Sequence, residues 1–363
     1  MKNTIGNEIT ITLFGESHGE AIGCVLDGLP SGIEINEEYI NEKMNQRKAV
    51  GKISTGRHEA DEVHFLSGIK DEKTEGTPIA IMIQNTNMHS KDYSSLSHIA
   101  RPSHADYAAH IRYSGYEDAR GGGHFSGRLT APIVAAGSIL RYALEQKGIV
   151  VASHIQNLHG IKDKAFTSLE QEMNAVNHKA FPVLDDEIGI VMQKEIEDAK
   201  DKQDSVGGVL ETVITGIDAG IGEPTFSSIE SRLSEVIFSI PAVKGLEFGS
   251  GFELANMYGS EANDAWMIQN GKAVTKTNHN GGINGGITNG MPIVFKTAIK
   301  PTPSISLTQD TIDFEKMENV QLNISGRHDP AIIHRARAVV DAMTAFVIAD
   351  LYMSTYGRKW FEK

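Results

Sequence analysis

Three side chains able to move protons near neutral pH stand at informative points in this chain. Of its 14 histidines, His18 lies between Ser17 and Gly19 at a strand end, and His104 lies in Arg101-Pro102-Ser103-His104-Ala105-Asp106. Small neighbours leave either ring room to meet a ligand, and imidazole changes charge close to neutrality. Each position also suits a satisfied loop histidine. Asp329 is the best placed carboxylate for acid–base work, because Arg327 and His328 flank it and Pro330 follows at a helix entrance. The same position suits a plain helix N-cap with proline next to it.

The cations point to an anion. Arg47, Lys48, Lys52 and Arg57 fall in a glycine-containing segment, and Arg101, Arg120 and Arg327 sit beside proline or glycine rather than in helical patterns. A charge run of this kind is commonly solvent-facing. Loop cations near glycine also suit a ligand with several charged groups, since the guanidinium fork matches phosphate and carboxylate. The run Arg120-Gly121-Gly122-Gly123-His124-Phe125-Ser126-Gly127-Arg128 precedes a strongly helical stretch. Three glycines permit close backbone approach, and a helix start downstream would add a positive dipole end. Lys300-Pro301-Thr302-Pro303-Ser304 is a stiff, hydroxyl-bearing loop with one cation.

Several chemistries are excluded by spacing. There is no His-x-x-x-His pair joined to a carboxylate and no cysteine pair, so no metal site is expected. Ser17 is not in a Gly-x-Ser-x-Gly elbow. Gly281-Gly282-Ile283-Asn284-Gly285-Gly286 has neither Walker nor dinucleotide spacing.

The elements that must hold these residues follow from pattern. Glu8–Phe14, Cys24–Leu26, 78–84, 150–155 and 207–216 read as strands. Asn36 caps a helix running through Gln46, with Glu37 and Glu38 in its first turn. Pro132 reads as the first residue of a helix that stops at Gly148. Ser227 and Glu230 form a capping box, and a last long helix spans about Ala331 to Met353. The segment 160–204 reads as a helical insertion. Both halves run strands, a glycine loop, then an amphipathic helix, which hints at internal duplication. We expect one α/β domain over residues 1–363.

Composition narrows the setting. With 34 Lys+Arg against 47 Asp+Glu the net charge is -13, so no nucleic-acid or anionic-membrane partner is expected. Cys24 is the single cysteine, which excludes an intrachain disulfide and fits a reducing cytoplasm. The first residues lack an apolar signal core, and no uncharged apolar run approaches the roughly 20 residues of a membrane span. The expected location is the cytoplasm.

Taken together, seven segments resemble the chorismate synthase family. They are Phe14-Gly15-Glu16-Ser17-His18-Gly19, Arg101 to Asp106, Arg120 to Gly123, Ser239-Ile240-Pro241-Ala242-Val243-Lys244-Gly245, Gly281 to Ile283 with Gly285 to Ile287, Lys300-Pro301-Thr302 with Ser304, and Gly326-Arg327-His328-Asp329-Pro330. They run in family order across essentially the whole chain. The resemblance implies a single β-α-β sandwich, an α/β fold of the α+β type with internal pseudo-duplication, assembled as a homotetramer. It implies a lyase of the shikimate pathway to aromatic amino acids. The reaction converts 5-enolpyruvylshikimate 3-phosphate to chorismate and phosphate by 1,4-elimination, with reduced FMN required and no net redox change.

Roles carry over by position. His18 resembles the general acid facing the leaving phosphate. His104 resembles the histidine near the flavin pyrimidine edge, and Asp329 the carboxylate that works with flavin N5 to take the C6 proton. Arg47, Lys48, Arg101 and Arg327 resemble cations around the substrate. His124, Phe125, Ser126, Ala242, Gly285, the loop Lys300, Pro301, Thr302, Pro303, Ser304, and Arg327 match flavin-contacting positions. Two segments depart from the family: Gln46-Arg47-Lys48-Ala49-Val50-Gly51 replaces an Arg-Arg-Arg-Pro-Gly run, and His124 to Arg128 replaces Arg-Ser-Ser-Ala-Arg. Lysine does not reproduce a bidentate arginine. The competing expectations are a flavin-binding protein without the elimination, supported by the altered arginine run, and a non-catalytic anion-binding module. No dinucleotide fingerprint is present, which leans toward an external flavin reductase or reduced-flavin supply, and the sequence leaves open the alternative that the chain reduces its own flavin with NADPH.

Overall fold

The computed structural model describes residues 2–49, 51–54, 60–86, 98–324 and 328–362. Two five-stranded antiparallel sheets frame the molecule. The first runs, in spatial order, Thr4–Gly6, Thr10–Gly15, Ala21–Asp27, Ile79–Gln84 and His64–Phe65. The second runs Val243–Phe248, Ile293–Ile299, Gly208–Thr215, Val150–Leu158 and Ile161–Lys162. Alternating apolar residues build both. Ile79, Ile81 and Ile83 are buried on one strand, and Ile293, Phe295 and Ile299 on another.

Helices lie between the sheets and on the outside of the second. They are α1 (Glu37–Arg47), α2 (Asp106–Tyr113), α3 (Thr130–Glu145), α4 (Leu169–Asn177), α5 (Asp186–Asp201), α6 (Ile229–Ile237), a single turn α7 (Gly259–Ala262) and α8 (Ile333–Tyr356). Helix α3 packs on the first sheet, α8 on the second, and α3 and α8 pack on each other. A Cβ at Gly137 would stand 2.6 Å from Ala342 Cβ, so this close crossing needs glycine there. Each half thus supplies an antiparallel sheet and then a long central helix, an α/β molecule in the segregated sense. Helix α8 is long and apolar enough to cross a membrane, yet 89% of that window is buried inside the protein. Its charged residues are paired there: Arg141 and Arg337 donate to Asp341, and Arg232 to Asp350.

The segment 160–204 carries α4 and α5. Helix α4 covers the outer face of the second sheet, where Met173 and Val176 meet Ala152 and Val213. His154 is buried beneath this cover, with Nδ1 3.1 Å from Asp163 and Nε2 3.0 Å from Glu211.

Local expectations shift at some boundaries. Asn36 does cap α1, accepting from Tyr39 N–H at 2.9 Å. Helix α3, however, starts at Thr130, two residues before Pro132. Proline is tolerated anywhere in a first turn, because those N–H groups lack helical partners. Ser228, not Ser227, caps α6, accepting from Ser231 N–H at 3.1 Å. Ser227 has φ +62°, which takes it out of the cap geometry. The last helix is displaced toward the C-terminus, to Ile333–Tyr356.

Candidate active site

The glycine run brings two histidines together. Its glycines have φ of +59°, +89° and +52°, a region that side chains with a Cβ rarely adopt. A Cβ on Gly121 would lie 2.0 Å from His18 Cε1, and one on Gly122 would lie 3.1 Å from His104 Cε1. Two consecutive glycines therefore back onto the two rings. The expectation of an anion cradle at a helix N-terminus changes accordingly: helix α3 begins only at Thr130, after two 3₁₀ turns, and the glycines serve as clearance for imidazoles.

Hydrogen bonds orient both rings. Ser17 Oγ reaches Arg120 O at 3.2 Å and Gly121 O at 3.3 Å, and lies 3.0 Å from His18 Nδ1. A hydroxyl has one hydrogen, so with that donated to a carbonyl it accepts from His18 Nδ1–H. Ser17 N–H also donates to Gly123 O, tying the turn to the glycine run. His104 Nδ1 lies 2.9 Å from Asp106 Oδ1. Asp106 also accepts from Arg101 Nε at 2.8 Å and Nη2 at 2.6 Å. Burial opposes its ionisation, but the hydrogen bonds and charges of Arg101 and His104 outweigh burial and hold its carboxyl well below the usual range. The carboxylate and Arg101 Nη2, 3.1 Å from the same His104 Nδ1, together hold the orientation of the ring.

Neighbouring cations complete the surroundings. Lys300 Nζ donates to Ser103 O at 2.6 Å, joining the Lys300–Ser304 loop to the Arg101–Asp106 loop. Burial and the Lys244 charge push the Lys300 pKa down, and among the described residues no carboxylate pairs with either lysine. Thr302 Oγ1 is buried without a partner among the described residues. The charge of Arg101 also acts on His328, whose pKa burial lowers first and whose Nε2 is buried without a partner among the described residues. Asp329 accepts from Arg335 Nη1, and Arg335 Nε donates to Arg47 O at 2.9 Å.

Arg47 itself is 6% exposed and donates to Asp61, whose other oxygen accepts from Arg128. Burial opposes Asp61 ionisation and the two guanidinium charges reverse that, so its pKa is lowered. Arg47 thus sits in a buried ion pair. Lys48 is half-buried at the C-cap of α1.

The remaining expected residues divide. His124 Nδ1 lies 3.0 Å from Gly15 O, and Phe125 is 39% exposed, its ring edge-on to Tyr113. Ser126 Oγ accepts from Arg128 N–H. Ala242 has φ +74° and its carbonyl accepts from Lys300 N–H at 2.9 Å, placing it against the 300–304 loop. Pro301, Pro303 and Ser304 lie in that loop, which follows Ile293–Ile299. Gly285 (φ +62°) occupies the hairpin turn between Ile283–Asn284 and Ile287–Thr288, and no contact among the described residues links it to the histidines. Arg327 and Arg57 lie outside the described residues. Sequence reasoning missed Asp61, Asn85, Arg128 and Arg335, whose partners are distant in the chain. Asp106 was legible in His104-x-Asp106, a pattern too common to single out.

The fold is of the α/β class, and these residues gather histidines, cations and carboxylates around one glycine run. The family model described as chorismate synthase matches residues 9–353. A chorismate synthase of Pyrococcus abyssi is 45% identical over 355 residues, covering 98% of each chain. One of Thermococcus kodakarensis is 44% identical, covering 95% of this chain and 96% of its own. A solved structure titled as the crystal structure of chorismate synthase superposes with a TM-score of 0.75 at 28% identity, over 97% of this chain and 94% of its own. The chain belongs to the chorismate synthase family, and is a lyase acting at the chorismate-forming step of the shikimate pathway.

Proposed function

We propose that this chain converts 5-enolpyruvylshikimate 3-phosphate to chorismate and phosphate by 1,4-elimination with reduced FMN bound, as a cytoplasmic, single-domain homotetramer. The observation that carries the reading is the seating of His18 and His104 on adjacent glycines, with the Arg101 charge acting on His328, the residue before Asp329.

The residues present fit reduced FMN. Lys244 and Lys300 are a like-charged pair that an anionic group would relieve, Thr302 Oγ1 is an unpartnered buried hydroxyl, and Phe125 offers an exposed ring. His104, His124, Ser126, Ala242, Gly285, the 300–304 loop and Arg327 would hold it. When bound, it supplies electron density that stabilises the electron-poor substrate as phosphate departs.

The protein's own groups then divide the work. Asp329, held by Arg335, takes the C6 proton. The C6–H electron pair forms the C6=C1 double bond, the C1=C2 pair shifts to C2=C3, and the phosphate leaves with the C3–O pair. His18 keeps Nδ1–H on Ser17 and delivers a proton from Nε2 to the phosphate. Asp106 keeps His104 oriented and charge-balanced. Arg101, Lys48 and Arg327 neutralise the substrate's phosphate and carboxylates. Arg47 is placed with them by family position, and Asp61 pairs with it.

The test is anaerobic turnover of the purified full chain with photoreduced FMN and the enolpyruvyl substrate. Stoichiometric phosphate and chorismate are expected with reduced FMN and neither with oxidised FMN. Reduced flavin without phosphate release would sink the proposal.

A further inference from the structure

One hairpin touches both loops that carry His104 and Asp329. Strand Gln309–Asp313 follows the 300–304 loop and pairs antiparallel with Glu318–Leu322. It takes up the segment ahead of His104 as a third strand. Ile99 pairs with Asp313, Ala100 N–H donates to Ile312 O at 3.1 Å, Phe314 N–H donates to His98 O at 3.0 Å, and Thr311 Oγ1 donates to Ala100 O. At its other end the hairpin leads to Asp329. Leu322 and Ile324 are buried, and His328, one residue before Asp329, hydrogen-bonds to the Ile324 backbone. Asn323 Nδ2 donates to Ser306 O at 3.2 Å and closes the base.

Phe314 stands in the hairpin turn, where residues are commonly polar and exposed. Its neighbour Met317 is 79% exposed, yet Phe314 is 9% exposed. Its ring centre lies 6.0 Å from that of Tyr107 and 4.7 Å from that of His110, both on α2. Helix α2 begins at Asp106, the carboxylate beside His104. His110 Nδ1 lies 3.1 Å from Glu117 Oε1, which ties the last turn of α2 to the approach to the glycine run.

We propose that Phe314 is a positioning residue that clamps the hairpin tip on α2 and so sets His104 relative to Asp329, an inference that rests on the reaction proposed above. A two-stranded hairpin is marginal by itself in water and needs a packed face. The bonds to 98–100 align it but contribute little net, because the same groups bond water when released. The buried ring contributes more and decides whether the tip stays down. Without it, the segment carrying His104 and the segment carrying Asp329 would move separately. Phe314 has no polar side-chain atom, so it reaches the chemistry through placement alone.

The test is Phe314→Ala in the full-length protein, assayed anaerobically with reduced FMN. We expect kcat to fall about 10- to 100-fold, the scale of a small misplacement of reacting groups, while KM for the enolpyruvyl substrate stays within about threefold. Phe314→Tyr keeps the ring and should bring kcat back to within about threefold of wild type. Phe361→Ala is the control, since it removes a ring that is also 9% exposed, edge-on to Trp360 at the far end of the chain. Its kcat per folded molecule should stay near wild type. Hydrogen exchange reads placement directly: the amides of 98–106 should lose protection about tenfold or more in Phe314→Ala and keep it in Phe361→Ala. Unchanged kcat, a change confined to KM, a loss matched by Phe361→Ala, or unaltered protection of 98–106 would each overturn the inference. If Phe314→Ala does not fold, Thr311→Val removes only the hydroxyl held on the Ala100 carbonyl and carries the same two measurements, with kcat expected to fall about 3- to 10-fold. A wild-type chain without turnover would defeat the reaction proposal instead, and the exchange measurement, which needs no turnover, would still decide the clamp.

Discussion

At the scale of single residues, the site is a set of groups whose roles are assigned by what holds them. His18 and His104 are the same side chain in two settings, one backed by a serine hydroxyl and one by a carboxylate. The second setting gives a prediction. Asp106 is ionised throughout the working pH range, because the hydrogen bonds and charges of Arg101 and His104 hold its carboxyl far down. Asp106→Asn should release His104 from its orientation and lower kcat about 10- to 100-fold, the usual cost of losing an orienting partner. Steady-state chorismate formation measures it, and an unchanged kcat would show that His104 needs no orientation. Residue types were legible in the chain, and so was the resemblance of their motifs. Pairing was not. Arg47 is a loop-side cation by sequence and the partner of Asp61 in space, 14 positions away along the chain.

At the scale of elements, loops deliver the chemistry and helices and strands hold the loops. The glycine run shows why its residue type is required. Gly121→Ala would add a Cβ 2.0 Å from His18 Cε1 at φ +59°, so it should displace the ring and remove most activity. Gly127→Ala is the matched control, since nothing lies within 4 Å of its added Cβ. Activity lost equally in both variants would contradict the clearance role. A second element-level prediction concerns the cover formed by α4. Burial alone would lower the His154 pKa, but Asp163 and Glu211 outweigh it and raise the value. A raised folded pKa adds stability that is complete below the ordinary histidine value of about 6.5 and is lost as pH rises through the folded value. Thermal unfolding followed by circular dichroism should therefore show Tm falling above about pH 6.5. The His154→Gln variant should lose that slope, and a slope that persists in it would refute the assignment. Strand and helix identities followed from alternation and capping. Their ends shifted by one to three residues, at Ser228 and Thr130 for example, where backbone geometry chose among adjacent candidates.

At the scale of the whole molecule, two antiparallel sheets enclose a helical layer whose central member, α8, is apolar enough for a membrane and is instead the core of the protein. The layer also explains how remote segments converge, since α1, α3 and α8 touch one another and carry Arg47, Arg128 and Arg335 at or beside their ends. The proposed supply of reduced flavin from outside belongs to this scale, because a nicotinamide site would need its own binding unit. Anaerobic FMN with the protein and NADPH should keep its 450 nm absorbance (about the usual flavin maximum) over many expected turnovers. Bleaching at a catalytic rate would overturn external supply.

The amino-acid sequence by itself determined the family, the main strands and helices and the candidate acid–base groups, because motif residues and hydrophobic periodicity are local properties of the chain. Only the tertiary structure decided what the glycines are for, that Arg47 and Arg128 share Asp61, and that one hairpin reaches from the segment ahead of His104 to the segment ahead of Asp329. Those facts depend on which distant segments meet and which charges lose water together, and neither is written in local spacing.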